Sequence, residues 1–151
     1  MMRLRRLAAD QRGASAVEFA LVAVPLLMLI FGTIEYGRLM WTRQALQESA
    51  IAGARCVALR SLSCTLDGDF DLASARAFIR QTAQGWLVAL DDTDITVSDN
   101  VTCGGVDGFV NVRIAHEFLT PVPAALVGLA EGTALSSSAC FPNQSAPAGG
   151  A

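Results

Sequence analysis

The run from Ala14 to Ile34, ASAVEFALVAVPLLMLIFGTI, constrains this chain more than any other stretch, because its 21 residues hold one ionisable side chain, Glu18. As a helix rising 1.5 Å per residue it would be about 31 Å long, close to the hydrocarbon thickness of a bilayer. Length and composition together predict a transmembrane helix, which we place at residues 14–37. A carboxylate costs about 2–3 kcal/mol at mid-bilayer and less near the interface, so Glu18 needs a reason to be there. Pro25 lies inside the same helix, where it removes an amide donor and crowds the carbonyl of Leu21; a kink is expected.

Charge sets the orientation. Arg3, Arg5, Arg6 and Arg12 precede the span, and Arg38 and Arg43 follow it closely. The larger cluster stays on the cytoplasmic side, which makes the chain a single-pass inner-membrane protein with its C-terminal part in the periplasm. From Leu39 onward six arginines face eleven Asp and Glu, a net of −5, which excludes nucleic acid as a reasonable partner. All four cysteines, Cys56, Cys64, Cys103 and Cys140, fall after the span, where an oxidising compartment would keep them as disulfides. Their spacing fits no CxxC or zinc pattern.

Beyond the membrane the 151 residues leave room for one core, and the patterning predicts an α+β fold. The first helix continues over residues 38–60, since no proline interrupts it and Leu46, Ala50, Gly53, Ala54, Val57 and Ala58 recur at helical steps. Tyr36 and Trp41 suit the membrane–water interface. Residues 61–141 form the periplasmic domain. Residues 61–70 read as a loop carrying Cys64, and a second helix is expected over 71–90, with Asp67, Asp69 and Asp71 at its start. The acidic run resembles the opening of a calcium loop, but Leu72 and Phe78 stand where glycine and glutamate are required, so no metal is assigned.

The period then changes to two. Residues 95–98 and 110–118 read as strands joined by a long loop over 99–108, residues 121–132 as an apolar connection, and 133–141 as a third strand. Together they predict a small three-stranded antiparallel sheet. In such a meander the ends of the first and third strands lie together, which brings Cys103 towards Cys140 and leaves Cys56 with Cys64, one of three possible pairings. The tail 142–151 is rich in Pro, Ala and Gly and reads as disordered.

An Arg-bearing leader ending in Gly13, a junction, and an apolar helix with Glu18 at its fifth residue resemble a type IV prepilin signal. RGASAVEFALV, a following proline and the E-Y-G-R exit are similar to the TadE/TadF-like minor pseudopilins of the tight-adherence (Flp) pilus system. The resemblance covers about residues 12–60. It implies removal of a leader, residues 1–13, between Gly13 and Ala14 by a prepilin peptidase, and partners among other pilins, pseudopilins and the inner-membrane assembly platform. It also implies incorporation in a pilus and a part in adhesion, biofilm formation or secretion. Glu18 would serve assembly. Phe19 where a major Flp pilin usually has tyrosine, and the long C-terminal domain, favour a minor pseudopilin over the fibre subunit.

No catalytic constellation and no cofactor motif is present: the chain lacks G-x-S-x-G, a glycine-rich phosphate loop and HExxH. An enzyme is not expected. His116 falls on the apolar side of its strand and reads as structural, and Asp91, Asp92 and Asp94 as solvated loop charge. The rival to a pilus component is a signal-anchored periplasmic binding or scaffolding domain with no fibre role.

Overall fold

The computed structural model describes residues 13–120 and 132–144. The leader expected before Gly13, most of the apolar connection and the tail beyond Gln144 lie outside them. One helix, α1 (Ala14–Ala58), runs 45 residues from Gly13 without a break at Pro25. Its first half is clothed in large apolar side chains on every side and leaves them bare: Phe19, Leu21, Val22 and Leu29 are each about 70% exposed (74, 72, 69 and 68%). Its second half is the spine of the domain.

That second half buries Leu39, Leu46, Ala50, Ala54 and Val57 along one stripe, and α2 (Leu72–Gly85) and the sheet close over it. Small side chains decide how near they come. At Gly53 a Cβ would lie 2.5 Å from Ile79 Cγ1, so glycine alone permits this approach of α2 to α1. Two short strands, β1 (Thr65–Leu66) and β2 (Asp69–Phe70), precede α2. The sheet is an antiparallel meander of β3 (Ile95–Cys103), β4 (Val106–Phe118) and β5 (Thr133–Pro142), with β4 central. Alternation puts Val110, Val112 and Ile114 of β4 inward, fully buried against the helices. The fold is α+β, as the patterning implied.

Four boundaries differ from the sequence expectation. The 61–70 loop contains a miniature hairpin, β1 (Thr65–Leu66) and β2 (Asp69–Phe70), because Asp67 and Gly68 both adopt positive φ, the geometry of a two-residue turn. The expected long loop over 99–108 is likewise tight: Gly104 and Gly105 both have positive φ, so β3 and β4 extend to meet them. Helix α2 stops at Gly85 rather than at residue 90. Leu87 takes a left-handed conformation, φ 63°, while its N–H bonds Gln84 O (2.9 Å) and the Val88 N–H bonds Ala83 O (3.0 Å), which closes the helix with a Schellman motif. A non-glycine residue in that conformation costs about 1–2 kcal/mol. Finally, residues 142–144, expected to belong to a disordered tail, are held in place. Pro142 pairs with Phe109, the Asn143 N–H donates to Gly108 O (2.8 Å), and the Gln144 N–H donates to Ala58 O (3.3 Å), tying the end of β5 to the end of α1.

Candidate assembly surface

Gly13 precedes the first turn of α1 and makes no side-chain cap; Ala14 is the first helical residue. Glu18 is therefore the helix's fifth residue, one turn on from Ala14, and it is exposed, as is Ile34 at the far end of the apolar run. Ala16, Val17, Ala20, Leu21, Val24 and Pro25 line a shallow, almost wholly apolar depression beside it. No residue of the most apolar 18-residue window of this helix is buried inside the molecule. A helix so apolar and so bare in one protein chain is stable only in lipid or against other apolar helices.

The transition between the two halves of α1 is marked by a charge pair. Arg38 Nη1 donates to both carboxylate oxygens of Glu35, at 3.0 and 2.9 Å, and the Glu35 side chain is 3% exposed. The same guanidinium lies 5.5 Å from the Phe118 ring centroid at the end of β4. A buried carboxylate held this way is costly to strip of its partner, and the pair fixes where the sheet meets the helix. In the sequence Glu35 and Arg38 stand in the exit from the apolar run, and their i, i+3 spacing is the local signal of the pair. One turn further, Trp41 Nε1 donates to Trp86 O at 2.9 Å and the two indoles meet edge to face, 5.4 Å between centroids, clamping the end of α2.

The other end of the domain is fastened covalently. Cys56 is bonded to Cys64 across the end of α1, and Cys103 to Cys140 over the outer face of β4. Around them Arg60 Nη2 donates to Asp99 Oδ2 (2.8 Å), and Asn143 Nδ2 donates to Asp99 Oδ1 (2.6 Å). Asp71 caps α2 by accepting from the Ser74 N–H at 2.7 Å. Bonding from the Ser74 side chain and then from its backbone holds the Asp71 carboxyl below its usual value of 3.8.

The remaining candidates separate into structural roles. His116, which by sequence lacked an acidic neighbour at ligand spacing, has Asp94 Oδ2 3.1 Å from Nδ1, because the turn before β3 folds back on the end of β4. Asp92 faces Arg80 (3.2 Å), and Asp91 and Asp94 cap each other's turn. Among the described residues no group of three His, Cys, Asp or Glu side chains could hold a metal ion.

Residues 13–55 match the family model described as TadE-like protein. The chain carries a TadE-like segment. That segment runs from Gly13 through the bare half of α1 and most of its packed half, and stops one residue short of Cys56. It contains Gly13, Ala14, Glu18, Pro25 and the Glu35–Arg38 pair; the hairpin, α2 and the sheet lie outside it. No curated protein and no solved structure shows a significant match.

Proposed function

We propose that the protein is a minor pseudopilin of a Tad (Flp) pilus, cut after Gly13 by a prepilin peptidase and packed through the bare half of α1 with other pilin helices or the assembly platform in the inner membrane. The observation that carries this reading is the isolation of Glu18 on an uncovered apolar helix within the TadE-like segment. A carboxylate there gains most from a cation where water is scarce, and the free amino group of a neighbour's Ala14 is such a cation once the leader is gone. The alternative, that Glu18 merely complements its own helix dipole, is weak for a structural reason. Helix α1 has no acidic residue in its first turn, and the dipole effect falls off within that turn.

In the same reading the domain is periplasmic, the leader is residues 1–13, and the span is residues 14–37. The test follows two quantities in the native host. The mature protein should have the mass of a chain beginning at Ala14. Glu18→Ala should be inserted and cleaved normally yet leave cells without pili. Normal processing together with normal pili would refute the role of Glu18, and a mature mass retaining residues 1–13 would favour a signal-anchored scaffolding domain.

A further inference from the structure

Both disulfides and the Arg60–Asp99–Asn143 network lie at the end of the domain far from the bare half of α1. The near end is built differently. There two leucines among the described residues point outward: Leu87 is 93% exposed and Leu119 is 70% exposed. The two helix ends make the contrast concrete, since each closes on a non-glycine residue with positive φ. At the far end that residue is Arg60, which bonds Asp99 and lies 5.9 Å from the Phe70 ring. At the near end it is Leu87, pushed into solvent.

The level of Leu87 along α1 is fixed by its neighbours. It shares one depression with Gly37, Arg38, Trp41 and Trp86, and a second with Arg38, Phe118 and Leu119. Gly37 and Arg38 come directly after the apolar run, so both leucines lie within about two helical turns of the residue at which α1 leaves that run. The polar interface of a bilayer extends about 5–7 Å beyond the hydrocarbon on each side, so this is the depth that interfacial side chains occupy. Trp41 and Trp86 stand at the same level, each with an apolar ring, and Trp41 has its N–H satisfied by the Trp86 carbonyl. Indoles at that depth are characteristic of the membrane–water boundary.

We propose that the near end of the domain is a second membrane contact, in which Leu87 and Leu119, flanked by Trp41 and Trp86, enter the headgroup–acyl boundary of the leaflet from which α1 emerges. The domain is then seated on the bilayer instead of standing on a free stalk. This rests on the reading of the bare half of α1 as a membrane span, with which the patch is continuous. Leucine at a position where glycine would relieve the backbone makes sense if its side chain has a destination outside the fold.

The experiment uses the full chain in bilayers of phosphatidylethanolamine and phosphatidylglycerol. All four cysteines are paired, so an added cysteine is a unique site for a nitroxide label. Labels placed through Phe31→Cys, Leu62→Cys, Leu87→Cys and Leu119→Cys report collision with oxygen, which concentrates in lipid, against a water-soluble nickel chelate. Position 31 reads the span, and Leu62, also 93% exposed but at the far end, reads water. Positions 87 and 119 are expected to prefer oxygen, as 31 does. If they behave like 62 the second contact does not exist, and if they are shielded from both reagents protein, from the same chain or a second copy, covers them in place of lipid; either result overturns the proposal. A water-like signal at 31 instead shows that the span itself was misread. Leu87→Gly supplies an arm free of folding doubt, because it relieves the left-handed backbone and should leave the melting temperature at or above that of the parent. It should nonetheless lower the oxygen preference at 119; no change there would count against Leu87 as an anchor.

Discussion

The two halves of α1 are continuous in backbone and opposite in what they do with apolar side chains. The first half carries Val, Leu, Ile, Phe and Met around its whole circumference and buries almost none of them; the second carries mostly small residues on one face and buries nearly all of that face. Size and distribution thus separate a helix meant for lipid from one meant for a core. Lipid accepts large groups in any direction, whereas a protein partner must come close, and Gly53 beneath Ile79 shows how close.

The sharpest way to break this comparison is to truncate a leucine in each half. Leu46 is fully buried, so Leu46→Ala should destabilise the domain by about 2–5 kcal/mol, measured by denaturant unfolding in detergent. Leu27, 48% exposed in the bare half, should give almost no change when replaced by alanine. Equal losses at the two sites would mean that the bare half contributes to the same core.

The disulfides extend the comparison to loops of different length. Cys103 and Cys140 are 37 residues apart and Cys56 and Cys64 only 8. Chain entropy makes the longer closure worth about 4 kcal/mol and the shorter about 2.5 kcal/mol. Paired replacement by alanine, Cys103→Ala with Cys140→Ala against Cys56→Ala with Cys64→Ala, should show that order in unfolding midpoints. The reverse order would place the shorter bridge's value in the folded state, where it pins the end of α1.

The smallest effect concerns Asp71, whose carboxyl is held below its ordinary value by Ser74. Because the folded form binds the proton more weakly than the unfolded chain, the cap's contribution is complete above about pH 3.8 and fades as the pH falls through the lowered folded value. Asp71→Ala should therefore melt below the parent at neutral pH, with the difference narrowing in acid. A gap independent of pH would remove the charged cap from the account.

Sequence alone determined the elements whose signals are local: the apolar run that makes the first half of α1, the helical spacing that carries it on through Gly53 and Val57, and the alternation in β4. Meander order points to Cys103 with Cys140 but leaves three pairings open, and the folded chain joins Cys103 to Cys140 and Cys56 to Cys64. The Asp67-Gly68 and Gly104-Gly105 turn signals are local too, although the polar residues around them give each the look of a longer loop. Tertiary structure alone decided that α2 ends at Leu87, since nothing local in Gly85-Trp86-Leu87 requires a leucine to adopt positive φ; the clamp of Trp41 on Trp86 and the burial of Val88 accompany that turn. It also decided that Asp94 meets His116 and that Phe118 meets Arg38, contacts between residues 22 and 80 positions apart that no periodicity records. Local patterns register which side chains must leave water, and only the folded chain determines which of them meet.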